Sequence, residues 1–377
     1  MRITIAGGGP AGLYFALLMK KQDPRHEVLL FERDGRHDTY GWGIVFSGQT
    51  LKFLQEADAE SHRAITKQLE LWDNVEVGHR GQSVSVRGNR FAGVARVAFL
   101  DLLRNRCEEL GVEVRYHTTV HSVADLPAAD LLVGADGANS LVRRAYAETF
   151  QPSLDVRKNR YIWLGTHRLF SGLTLTFKES EAGVFAAHSY RFSADTSTFI
   201  VEAVGDAWER ARFDGMGEGE TCAFLERVFA SELEGQPLLT NNFVKWLRFV
   251  IVKNERWRHG NVVLLGDALH TAHFSIGSGT KLALEDAIAL ASCFARRPGV
   301  ADALAEFEAT RKPVVDALQA AAHSSLAWFE ECGSRMALSP LDLAYEIMTR
   351  SGRIDHDKLK TRDPAFVAAW EAQRGQA

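Results

Sequence analysis

The chain has no basic excess. Its 44 Lys and Arg stand against 48 Asp and Glu, for a formal net charge of −4. Nucleic-acid binders carry surplus positive charge, so no nucleic-acid partner is expected. Cysteine is scarce: Cys107, Cys222, Cys293 and Cys332 are scattered, with no CxxC pair. That spacing argues against a zinc site or a disulfide framework, so no metal is expected and a reducing, cytoplasmic location is. No apolar run approaches the roughly 18–20 residues that span a membrane, and Met1-Arg2 leads into a short strand rather than a signal peptide. Internal repeats and low-complexity linkers are also missing. What is present is a 46% hydrophobic composition over 377 residues, enough for a large core and more than one structural unit.

Residues 2–6 (RITIA) read as a buried strand, residues 10–21 carry helical spacing, and 27–32 (EVLLFE) read as the next strand, which makes a βαβ unit. A helix over 96–110 and strands at 112–116 and 130–134 follow. Between about 155 and 255 the segments become short, aromatic and β-branched, as in Tyr161-Ile162-Trp163-Leu164 and Ser197-Thr198-Phe199-Ile200-Val201-Glu202; this predicts an antiparallel sheet. A strand at 261–265 then leads into a helix near 280–296, and 301–335 and 340–349 are helical by period. The expected architecture is α/β. A Rossmann-type domain (1–155 and 256–300) is interrupted by a sheet domain (156–255) and closed by a helical segment (301–377).

Three motifs carry chemistry. Gly7-Gly8-Gly9-Pro10-Ala11-Gly12 is a GxGxxG between a strand and a helix. Gly7 serves the tight turn, Gly9 the close approach of a pyrophosphate to backbone N–H groups, and Gly12 the helix–strand packing. The helix N-terminus, with Pro10 and Ala11, favours phosphate. Glu32 lies 20 residues after Gly12, at the end of the second strand, where an acid hydrogen-bonds adenosine ribose hydroxyls. The second motif is Asp136-Gly137-Ala138-Asn139-Ser140-Leu141-Val142-Arg143. The third is Gly266-Asp267-Ala268-Leu269-His270, continued by Gly277-Ser278-Gly279-Thr280. Its glycines let backbone amides approach a ring, and the helix that follows favours negative charge. The acidic run Gly215–Glu220 follows no strand and reads as a solvated loop.

Together these residues resemble the group A aromatic hydroxylases, single-component FAD-dependent monooxygenases related to para-hydroxybenzoate hydroxylase. The resemblance spans nearly the whole chain and implies that family's fold. It implies FAD as cofactor, NADH or NADPH as electron donor and O2 as co-substrate, with no obligatory reductase partner. Asp136 and Gly137 would contact FAD and NAD(P)H, Gly266 and Asp267 the ribityl and pyrophosphate region. Arg96 would bind FAD from the helix before the DG strand. Arg33, Trp42, Gly277, Gly279, Thr280 and Lys281 complete the expected cofactor-binding set. The run HTAHFSIGSGTKLALEDA, with Phe274 where the broad family usually has Pro and Lys281 where it often has Asn, resembles a narrower clade. That clade includes salicylyl-CoA 5-hydroxylase, the hydroxylase half of 2-aminobenzoyl-CoA monooxygenase and the tryptophan hydroxylase of violacein biosynthesis. Gly41-Trp42-Gly43, Arg160–Thr166 and Trp328-Phe329-Glu330 agree.

The resemblance implies transfer of electrophilic oxygen from a flavin C4a-hydroperoxide to an electron-rich ring. An aryl-CoA thioester is the first expectation, salicylyl-CoA or another hydroxybenzoyl-CoA. A free aromatic or indole such as tryptophan is the alternative, and a flavin dehydrogenase or reductase a further one. A base near the phenol would raise ring electron density. The candidates are His273, in the clade-specific loop, His188 and Tyr190, which alternate on a strand and share a face, and Lys281, a cation in a helix's first turn. His270 is expected to support the third motif's loop. A CoA substrate would need cations for its phosphates; Arg157, Lys158 and Arg160 form one cationic cluster and Arg256 and Arg258 another, and no phosphate contact is assigned to either.

Overall fold

The computed structural model describes residues 1–241 and 244–375. Apart from exposed Arg2 and buried Thr4, strands Arg2–Ala6, Leu131–Gly134 and Val262–Leu264 are apolar and buried on both faces, as strands inside a parallel sheet must be. Their sheet runs in the order Arg258–His259, Val262–Leu264, Leu131–Gly134, Arg2–Ala6, Glu27–Phe31, Glu113–Arg115. All its pairings are parallel except the Arg258–His259 edge. The helix Pro10–Gln22 is buried along nearly its whole length among these strands and the helices Arg96–Glu109 and Gly279–Arg296. This order places the carboxyl ends of three adjacent strands, each followed by one of the three motifs, side by side.

The second sheet contains Pro152–Thr166, Leu173–Ser180, Gly183–Arg191, Ser197–Ala203, Leu238–Leu239 and Leu247–Asn254. Its alternation is strict. Ile162, Leu164, Phe185, Ala187, Phe199, Val201 and Ala203 face a core shared with Leu225, Phe229 and Leu233 from the helices of 218–233. In antiparallel pairs opposite residues share a face. Tyr161 opposes Glu202, and His188 and Tyr190 oppose Ile200 and Thr198, so these side chains lie on the other face.

The sheets do not follow the expected boundary at 155/156. Strand Val75–His79 pairs parallel with Leu173–Ser180, and Gln82–Val86 follows it as a hairpin, so residues 75–86 belong to the second sheet. A small sheet of Gly43–Ser47, Phe91–Ala95 and Glu70–Trp72 joins the two. Nor is 301–377 a separate segment. The first part of the helix Val300–Glu330, through Leu304 and Phe307, packs in the first core, while Trp328 and Phe329 pack in the second with Leu343, Ile347 and Phe366. Arg157 donates Nε and Nη2 to the Glu330 carboxylate (3.2 and 2.6 Å), clamping the helix end to the sheet. The acidic run Gly215–Glu220 is a loop only in its first half; Glu218 starts the helix Glu218–Val228, with Glu220 accepting from Gly217 N at 2.9 Å.

Gly7 sits at φ +105°, and a Cβ there would lie 2.2 Å from the Ala135 carbonyl oxygen. Backbone strain and overlap add, so Gly7→Ala should lower stability by roughly 3 kcal/mol or more. Urea unfolding of the two proteins checks this.

Candidate active site

The three motifs form one floor. Gly12 packs so tightly on the first turn that a Cβ would be 2.1 Å from the Gly7 carbonyl oxygen, and Gly266 (φ +58°) would place a Cβ 2.9 Å from that of Ala11. Buried Arg143 donates Nη1 to the Ala268 carbonyl (2.9 Å) and Nη2 to that of Ala138, tying the second motif to the third.

Around this floor, four glycines face open space. A Cβ on Gly9, Gly137, Gly277 or Gly279 would meet nothing within 4 Å. Gly9 caps the helix whose first turn holds Pro10 and Ala11, so unfilled N–H groups and the positive helix end point into that space. Glu32 borders it, accepting from Gly8 N (2.7 Å) and Asp34 N (2.9 Å). An ionised carboxylate has about four acceptor sites, so two stay free for hydroxyls. Arg33 donates Nη2 to the Tyr40 hydroxyl at 2.6 Å. Trp42 packs its ring on Gly165 and receives the Arg96 N–H at its carbonyl (2.8 Å).

Arg96 opens the helix Arg96–Glu109 and donates Nε to Thr39 Oγ1 (3.1 Å); its Nη groups have no hydrogen-bond partner among the described residues. Asp267, on the third motif, is solvent-exposed yet sits deep enough in the protein for its charge to act on Arg96. Burial raises the Asp267 carboxyl, opposed by Arg96 and His270. Burial likewise lowers the Arg96 guanidinium, opposed by Asp267. A cation and an anion that act on each other without forming an ion pair, together with N–H-rich turns, fit a ligand with both phosphates and hydroxyls.

Two expected cofactor contacts are engaged elsewhere. Asp136 caps the helix Leu141–Ala145, accepting from Ser140 Oγ (2.5 Å) and from Leu141 N and Val142 N (2.6 and 3.2 Å). Gly137 (φ +80°) is an open position of that motif. Lys281, next to Thr280 in the first helical turn, has Nζ 2.7 Å from Glu285 Oε1. Arg311 bridges Glu285 (2.9 Å) and Asp286 (2.8 Å), and His270 Nε2 lies 2.7 Å from Asp286 without an aligned hydrogen bond. Lys281 is thus a member of a largely buried charge network with Glu285, Asp286 and Arg311, against which the His270 ring lies.

On the sheet face, the structure adds a residue that the sequence reading did not single out. Glu202 is fully buried and accepts from His188 Nε2 (2.9 Å) and Asn159 Nδ2 (3.2 Å), with His273 Nε2 at 3.8 Å. Burial pushes its carboxyl up, but His188, His273 and Asn159 outweigh this and hold it below the usual range. The available signal was an acid after the apolar run Phe199–Val201 in the strand Ser197–Ala203. Ser275 N donates to His273 Nδ1 (3.3 Å), and Ser275 is held in turn by Ser325 Oγ (2.8 Å) and Arg350. His188 and His273 therefore come together, each under 5% exposed, behind an aromatic wall of Tyr161, Phe249 and Phe274. Tyr161 and Phe274 are 4.9 Å apart. Burial, with the charges of Asp267 and Glu202, pushes the Tyr161 hydroxyl up to about 12. Tyr190 shares the His188 face but donates to the Gly43 carbonyl at 2.7 Å, docking the small sheet.

A family model described as an FAD binding domain matches residues 127–322. The chain is 41% identical over 378 residues to a salicyloyl-CoA 5-hydroxylase of a Streptomyces species, covering 97% of this chain and 72% of that one. It is 36% identical to a 3-hydroxy-4-methyl-anthranilyl-[aryl-carrier protein] 5-monooxygenase of Streptosporangium sibiricum, covering 97% and 99%. The solved structure of 2-methyl-3-hydroxypyridine-5-carboxylic acid oxygenase superposes with a TM-score of 0.72 at 20% identity, covering 94% of this chain and 96% of that one, which speaks for the fold. The chain belongs to the FAD-dependent aromatic monooxygenases of the para-hydroxybenzoate hydroxylase type. Its cofactor is FAD, and members of this family take electrons from NAD(P)H.

Burial pushes His273 from its ordinary 6.5 down to about 4. The unfolded chain therefore binds a proton in this window that the folded one refuses, so stability falls as pH drops through it. Between pH 7 and 5, His273→Gln should remove on the order of 2 kcal/mol of that loss. Urea midpoints of both proteins at the two pH values measure it.

Proposed function

We propose that this enzyme hydroxylates an aromatic ring presented as a CoA thioester, a hydroxybenzoyl-CoA such as salicylyl-CoA. The observation that carries this reading is chain-long similarity to two relatives whose named substrates are both aryl thioesters, one on CoA and one on a carrier protein. In the overall reaction, one oxygen atom of O2 enters the ring and the other leaves as water. NAD(P)H supplies the two electrons.

The bound flavin supplies the redox chemistry and the activation of O2. The chain's own residues do the rest. The turn at Gly9 and the helix behind it take the pyrophosphate, Glu32 the ribose hydroxyls, and Arg96 and Asp267 the remaining phosphate and hydroxyl groups. Gly277 and Gly279 leave room for backbone N–H groups against the ring system. Tyr161, Phe249 and Phe274 wall the substrate ring and exclude water. Behind them His273 is neutral at physiological pH, with Nδ1 accepting from Ser275 and the Nε2 edge toward Glu202. Of the four candidate catalytic groups, His273 and His188 set the polarity behind the ring site. Tyr190 and Lys281 hold the scaffold.

The test is NAD(P)H oxidation by the FAD-loaded protein with salicylyl-CoA, other hydroxybenzoyl-CoA esters, the free acids and tryptophan, with mass analysis of products. A CoA ester should stimulate oxidation and gain one oxygen. Stimulation by free acids or tryptophan alone contradicts the proposal.

A further inference from the structure

Strand Leu247–Asn254 pairs with Pro152–Thr166, and two neighbouring rungs of that ladder differ in character. Tyr161 opposes Leu247 on the face of the ring site, while Arg160 opposes Arg248 on the face behind it. The arginine rung is only about 3.4 Å along the strand from the tyrosine rung. Leu247, on the tyrosine rung and next in sequence to Arg248, is 38% exposed.

The arginines are poorly neutralised. Arg160 Nε is 3.7 Å and Arg248 Nη2 3.9 Å from the same oxygen, Glu209 Oε1. Two guanidiniums facing one carboxylate leave a surplus positive charge. The Arg160 guanidinium lies 3.8 Å from the centre of the Trp208 ring, so an aromatic plane holds it in place. Arg160 Nε and the Trp208 indole N–H have no hydrogen-bond acceptor among the described residues. Both of these atoms are buried, so the donors open to a ligand are those on the exposed parts of the two guanidiniums, the Arg160 side chain being 25% and that of Arg248 44% exposed. Of the other cationic clusters, one differs in its pairing and one in its position. Arg157 is paired with both Glu330 and Asp155. Arg256 and Arg258 also share a single carboxylate, that of Glu308, at 3.8 and 3.7 Å, but flank Trp257 beyond the opposite end of the strand.

We propose that Arg160 and Arg248 bind the nucleotide phosphates of a CoA thioester, whose pantetheine arm passes Leu247 to place the ring against Tyr161. This rests on the aryl-CoA reading above. Guanidinium groups meet phosphate oxygens with paired N–H donors, and a cationic pair held by one shared carboxylate keeps donors free for them. The site recognises the nucleotide end and leaves the ring chemistry untouched.

Steady-state kinetics with salicylyl-CoA and with salicylyl-pantetheine, which lacks the nucleotide, test this. In the Arg160→Gln/Arg248→Gln double variant, KM for salicylyl-CoA should rise about tenfold at unchanged kcat, while KM for salicylyl-pantetheine stays the same. Arg248→Gln alone, at an exposed position, should show a smaller shift of the same kind should the double variant fold poorly. The wild-type preference for the CoA ester should shrink as salt rises. Equal wild-type KM values for the two thioesters, or equal shifts for both in the variants, overturn the site while leaving the thioester reading intact. Turnover of a carrier-protein thioester but not of the CoA ester also overturns it. A wild-type enzyme that uses neither small thioester nor a carrier-bound one contradicts the thioester reading itself.

Discussion

The site depends on close contact between three backbone turns. Gly7 against Ala135 and Asp136, Gly12 against Gly7, and Gly266 against Ala11 are contacts that leave no room for a Cβ. They bring the carboxyl ends of three parallel strands into one floor, and Arg143 ties two of the loops together across it. In the same neighbourhood Gly9, Gly137, Gly277 and Gly279 face open space. One set of glycines is needed for the fold, the other for what the fold leaves empty. Arg96 and Asp267 then give the empty space its polarity.

The second sheet completes the site by splitting its faces. One face is apolar and packs on helices. The other carries a buried carboxylate, Glu202, stabilised by two imidazoles and an amide. Such a group is costly to bury unless it is fully paired. Its pairing explains why the loop at His273 to Ser275 has a fixed place: His273 faces Glu202, while Ser325 and Arg350 hold Ser275. The aromatic wall of Tyr161, Phe249 and Phe274 rests on this base. The charges of Asp267 and Glu202 act on Tyr161 together.

Much of this was legible in the sequence because the relevant signals are local. A glycine turn after a buried strand can be read from a few residues, so all three motifs and the Rossmann-type unit were visible. The antiparallel sheet and its alternating His188 and Tyr190 were legible from period. What was not legible depends on long-range pairing. Val75–His79 joins a sheet formed a hundred residues later, so the 155/156 boundary does not hold for the sheets. Tyr190 and Lys281 carry chemically suitable groups, but only the fold shows that Gly43 and Glu285 engage them. Glu202 went unnoticed because a single acid at a strand end looks solvated until two histidines, 14 residues before it and 71 after it, arrive beside it.

The measurement that bears most directly on this account is FAD affinity in Gly9→Val. Gly9 has ordinary extended backbone and nothing within 4 Å of a Cβ, so a side chain there fills only the proposed cofactor space. The account predicts apo-protein stability within about 1 kcal/mol of wild type. It also predicts FAD binding weakened about a hundredfold or more, read by flavin fluorescence titration. A Gly9→Val protein that binds FAD as tightly as wild type would contradict it.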